Sequence, residues 1–82
     1  MTAKIKKARN KYILELLKEL KSKEEVFNLL GGSLYSGICA DEINEILDEL
    51  NKLDVKVYYY QYIPGRVHFQ NLDKLIKEYE NE

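Results

Sequence analysis

The apolar pattern of this chain changes period once, at Asp54, and no other feature narrows the possible folds as much. Upstream, Ile43, Ile46, Leu47, Leu50 and Leu53 recur at three- and four-residue steps, which lines one stripe of a helix. Downstream, β-branched and aromatic residues fill Val55–Ile63 and Arg66–Gln70, where the repeat is two. Pro64-Gly65 between those runs is turn chemistry. The stretch from Ala40 to Asn71 therefore predicts an acidic amphipathic helix that feeds into a β-hairpin.

The loop length decides the register of that hairpin. A two-residue Pro64-Gly65 loop pairs Tyr60 with Phe69 and splits the apolar residues between the two faces. A three-residue Ile63–Gly65 loop pairs Tyr59 with Phe69 and collects Val55, Val57, Tyr59, Val67 and Phe69 on one face. A slip of one residue inverts every side chain, so the second register is preferred. The opposite face then carries Lys56, Tyr58, Tyr60, Tyr62, Arg66, His68 and Gln70.

Ahead of this unit, Ile5, Ala8, Tyr12, Ile13, Leu16, Leu17 and Leu20 predict a helix over 4–21. Ser22-Lys23-Glu24-Glu25 has the form of a capping box that starts a short second helix through Val26, Phe27, Leu29 and Leu30. Gly31-Gly32 would stop it, and Ser33–Cys39 reads as a loop, or as a loop with one helical turn. The third helix would begin near Ala40 or Asp41, with Asp41 and Glu42 at the positive end of its dipole. Asn71 would cap a last helix bearing Leu72, Leu75, Ile76 and Tyr79.

Helix, short helix, helix and hairpin resembles the winged-helix (winged helix-turn-helix) domain. Val26–Leu30 would be its second helix, Ile43–Leu53 its third and Val55–Gln70 its wing. The resemblance implies a small α+β domain spanning 1–82, with three helices, a β-hairpin wing and a C-terminal helix. It also implies that the third helix enters the DNA major groove, as in DNA-binding members of that family. Here the charge speaks against such use.

Residues 1–23 hold eight cations against Glu15 and Glu19, and residues 24–54 hold eight acids against Lys52. The solvent side of the third helix would show Asp41, Glu42, Asn44, Glu45, Asp48 and Glu49, and like charges would meet in a phosphate-lined groove. Asp41, Glu42, Glu45, Asp48 and Glu49, together with Tyr58, Tyr60 and Tyr62 of the wing, are the candidates for binding a protein with a basic surface. A solvated polar face explains the acids equally well. Lys4, Lys6, Lys7, Arg9 and Lys11, with Arg66 and His68, are the candidates for contacting double-stranded DNA. A row of lysines that merely keeps a helix soluble is the competing explanation.

No catalytic pattern emerges. Gly32 and Gly37 have the spacing of a phosphate loop, but Ile38-Cys39 stands where Lys and Ser or Thr belong. His68 is the only histidine, which argues against zinc, and Ser33 and Ser36 have no assignable base. The single cysteine, Cys39, reads as a small buried hydrophobe. The chain is expected to be a cytoplasmic, non-enzymatic binding module. No cofactor, metal, small-molecule ligand or membrane contact is expected. Its function is read as protein–protein adaptor or inhibitor associated with nucleic-acid machinery, or alternatively as a DNA-binding transcriptional regulator. So small a core would also be helped by a homodimer.

Overall fold

The computed structural model describes residues 3–30, 36–60 and 67–81, leaving aside the side chains of Ser36 and Tyr60. α1, Ala3–Leu30, is one helix of 28 residues. The two helices expected on either side of Ser22 are thus a single element. Ile13, Leu16, Leu17, Leu20, Glu24 and Phe27 keep three- and four-residue steps straight through that point, and all are buried. A capping box satisfies orphan N–H groups only where a helix begins. No glycine or proline interrupts 22–25, so backbone bonding continues and Ser22 is merely an exposed helical residue.

α2, Ser36–Lys52, begins earlier than expected, so Asp41 and Glu42 stand in its second turn rather than at its N-terminus. Cys39, Ile43, Ile46 and Leu50 form its buried stripe. Its C-terminus is closed by a Schellman motif. Val55 N–H donates to the Leu50 carbonyl at 2.9 Å and Asp54 N–H to the Asn51 carbonyl at 3.1 Å. The motif needs a left-handed residue, and Asp54 supplies it at φ 62°. Its usual apolar contact is provided by Leu50 and Val55, both buried.

Beyond the motif the chain extends into β1, Tyr59–Tyr60, which pairs antiparallel with β2, His68–Phe69. Tyr59 stands opposite Phe69 and Tyr60 opposite His68, the register that gathers the apolar set. Val55, Val67 and Phe69 are buried and Val57 half-buried, while Lys56, Tyr58, His68 and Gln70 are exposed. Tyr59 departs from the pattern: its ring tilts against Phe69 at 5.7 Å yet stays 52% exposed. The turn itself, residues 61–66, lies outside the described residues.

α3, Leu72–Glu80, completes the chain. Asn71 does not cap it through its side chain. That carboxamide is engaged by the strand, accepting from Tyr58 N–H at 2.8 Å and donating to the Lys56 carbonyl at 2.9 Å.

The winged-helix α+β expectation is therefore overturned. The described residues form three helices, dominated by α1, with no separate second helix to make a helix-turn-helix. Of the expected wing, the described residues show a pair of two-residue strands. α2 runs antiparallel to α1, since Glu42 meets Lys23 while Leu53 meets Arg9. α3 also runs back along α1, from Lys21 beside Asp73 to Tyr79 beside Ala3 and Asn10. Ile13, Leu17, Leu20, Leu50 and Leu72 form the centre of the core.

The unbroken α1 makes a direct prediction for Ser22→Ala. Replacing a mid-helix serine by alanine should raise stability by about 0.5 kcal/mol in urea unfolding. A fall of about 1 kcal/mol, as for a lost N-cap, would restore the two-helix reading.

Candidate functional site

α2 distributes its acids over two different surfaces. Towards α1, Glu42 forms an ion pair with Lys23, and Glu49 accepts a long hydrogen bond from the Tyr12 hydroxyl at 3.4 Å. The hydrogen bond to Glu42 is the main reason that the Lys23 ammonium titrates above its ordinary range. These two candidate residues are thus engaged by the fold. Asp41, Glu45 and Asp48 are exposed on the outer side, where Asp48 also meets Lys52 at 3.7 Å.

A third side of α2 borders a groove. Ala40, Asn44, Leu47 and Asn51 follow one another at four- and three-residue steps along it. Asn44, Leu47, Asp48 and Asn51 form one wall and the extended chain from Val55 to Tyr59 the other, around 410 Å³. A deeper recess of 200 Å³ shares Asn44, Leu47 and Tyr59 and adds Phe27, Ala40, Ile43, Val67 and Phe69. The result is an apolar floor edged by two amides, the Asp48 carboxylate, the Lys56 ammonium and the rings of Tyr58 and Tyr59, which are 59% and 52% exposed. Of the protein-binding candidates, the structure brings together Asp48 and Tyr58. Tyr60 contributes its backbone to β1, whereas Tyr62 and the Tyr60 side chain lie outside the described features.

The basic candidates separate as well. Arg9 is half-buried, and its guanidinium donates to the Leu53 carbonyl, placing a cation on the C-terminal end of α2. That bond gives Arg9 a structural role in joining α1 to the end of α2. Lys6, Lys7 and Lys11 line a 530 Å³ groove between α1 and α3, with Ala3, Asn10, Leu14 and Tyr79. Lys4 is exposed outside that groove, His68 is exposed on β2, and Arg66 is not among the described residues.

Asn44, Leu47, Asn51 and Tyr59 were not singled out by pattern reading as a site. A helical wheel places the first three together, but only the fold brings β1 beside them. Among the described residues, no three of His, Cys, Asp and Glu gather as a metal site would need. No described helix is long and apolar enough to cross a membrane. Neither a protein-family model, nor a curated protein, nor a solved structure matches this chain.

Two predictions follow from the engaged groups. Arg9→Ala should cost about 1.5–3 kcal/mol by stranding the Leu53 carbonyl, while Lys6→Ala should stay within about 0.5 kcal/mol. Equal effects in urea unfolding would refute the structural role of Arg9.

The second concerns pH. Tyr12, Lys21, Lys23 and Cys39 all titrate above their ordinary values, Cys39 chiefly because burial disfavours its thiolate. Groups with raised values hold protons longer when folded, so their contribution is complete at lower pH and declines as pH rises. The urea midpoint should accordingly fall as pH climbs past 9.0, the ordinary value for the thiol. A midpoint that rises across that range would contradict the assigned contacts.

Proposed function

We propose that this chain is a non-enzymatic protein-binding module, an adaptor or inhibitor that receives a partner with a basic surface along α2. The observation that carries the reading is the juxtaposition of exposed Asp41, Glu45 and Asp48 with a groove floored by Leu47 and rimmed by Tyr58 and Tyr59. Tyrosine is enriched at protein interfaces because it offers large apolar area with a polar tip. Carboxylates beside that area select the sign of the partner and speed its approach. Proteins of the nucleic-acid machinery carry such basic surfaces, and they are the partner class that this charge favours. A reducing, cytoplasmic setting fits the single buried thiol of Cys39.

One observation favours a second reading, DNA binding through the start of α1. Lys6, Lys7 and Lys11 converge on one groove, and their ammonium groups could neutralise phosphates. Against it, Arg9 is engaged by the Leu53 carbonyl and the acidic α2 lies on the same small molecule. A homodimer remains a third arrangement, in which a second copy would cover apolar surface that this core leaves exposed.

Reversal of Asp41, Glu45 and Asp48 to lysine separates these readings. Capture from native cell extract should yield a partner with the wild-type chain and lose it with the triple variant, whose fold should be unchanged. Random duplex DNA, titrated at two salt concentrations, should show no binding to the wild-type chain. Micromolar, salt-sensitive DNA binding that weakens in Lys6→Ala/Lys7→Ala/Lys11→Ala would establish the second reading instead.

A further inference from the structure

The β1 edge has backbone groups that no other described residue engages. Phe69 donates its N–H to Glu24 at 2.9 Å, so it points away from β1 and its pairing with Tyr59 is the non-hydrogen-bonded kind. Gln70 N–H donates to the Tyr58 carbonyl at 2.8 Å, closing the neighbouring rung. By alternation, the N–H and C=O groups of Val57 and Tyr59 face away from β2, towards the groove beside α2. Side chains engage much of the remaining edge among the described residues. Glu24 and Asn28 cover β2, and Asn71 satisfies Lys56 and Tyr58. Among the described residues nothing pairs with the outward groups of Val57 and Tyr59.

Donors and acceptors repeating at every second residue are what an incoming strand reads. A helical partner bonds its backbone groups internally except at its ends, so it offers no matching row along its length. A strand laid there would send alternate side chains over α2, onto Leu47 and towards Asp48. Exposed Asp41, Glu45 and Asp48 outnumber Lys52, which meets Asp48, and Lys56 on the facing wall, so the remaining negative charge favours basic side chains in the incoming strand. A second copy pairing through the same edge would bring acidic α2 surfaces together and is disfavoured by like charge.

We propose that the edge of β1 accepts an extended segment of a partner protein as an added strand, with its basic side chains over Asp48 and its apolar ones on Leu47. This rests on the protein-binding reading above and specifies its mode.

The test uses the full chain made by chemical synthesis, once unmodified and once N-methylated at the Tyr59 amide. No described residue accepts from that N–H, so urea unfolding should be unchanged by the methyl group. The probe is a short synthetic peptide alternating lysine and valine. Controls replace its lysines by glutamate or its central valine by proline. The lysine peptide should shift the Val57 and Tyr59 amide resonances. Its affinity should fall about tenfold on N-methylation, as expected when one backbone hydrogen bond is lost, and again in Asp48→Lys. Neither control peptide should produce these shifts.

Unchanged affinity of the N-methylated chain would overturn strand addition while leaving a basic partner on α2 intact. Absence of shifts at both amides up to millimolar peptide would overturn it too, whereas the capture experiment alone decides the broader reading. Concentration-dependent shifts at the same amides without peptide would make a second copy the occupant and overturn the basic segment.

Discussion

Two side chains of α1 serve β2 as a third strand would. Asn28 both accepts from Val67 N–H at 2.9 Å and donates to its carbonyl at 3.0 Å, and Glu24 accepts from Phe69 N–H at 2.9 Å. The match is geometric. Four residues of helix rise about 6 Å, and two residues of strand advance about 6.6 Å. Side chains at i and i+4 can therefore reach alternate residues of a strand running the other way. A two-stranded hairpin alone is marginal in water, so this attachment explains how the pairing persists. Glu24 is 8% exposed, and its place inside the apolar stripe is reasonable because it accepts a backbone N–H, with Lys21 at 3.9 Å.

Much of the remaining architecture depends on that anchor. With β2 held to α1, Asn71 is positioned to close Lys56 and Tyr58, and α3 starts where Lys21 can meet Asp73 at 3.0 Å. At the other end of α1, Arg9 receives the end of α2, whose turn through Asp54 directs the chain back towards β1. The groove beside α2 exists because the chain from Val55 to Tyr59 is fixed at both ends, by the Schellman turn and by pairing with β2. Its open edge and its carboxylate thus follow from contacts on the far side of the molecule.

What could be read in the sequence was whatever periodicity controls. The change of period at Asp54, the pairing of Tyr59 with Phe69 and the helix after Asn71 all follow from where apolar side chains must go. The break at Ser22 misled, because a capping box is a four-residue signal and cannot report that the apolar stripe continues on both sides of it. With that break gone, so was the winged-helix order. The engaged polar residues were illegible for a different reason. Arg9, Glu42 and Asn71 find partners 13 or more residues away, or on a different helix, and nothing in their local pattern tells them from solvated neighbours. Glu24 and Asn28 do carry a local signal, an Asn four residues after a Glu that interrupts an apolar stripe. Tyr62 and Arg66 belong to residues that the structure does not describe.

The side-chain closure of β2 can be examined without any ligand. Native-state hydrogen exchange of the Val67 and Phe69 amides reports whether their N–H groups are bonded, because exposed edge amides open at almost no cost. If Asn28 and Glu24 close that edge, both amides should exchange slowly, and Asn28→Ala should speed Val67 much more than the amides in the middle of α1. Exchange of Val67 and Phe69 in the wild-type chain at the rate of unstructured peptide would contradict it.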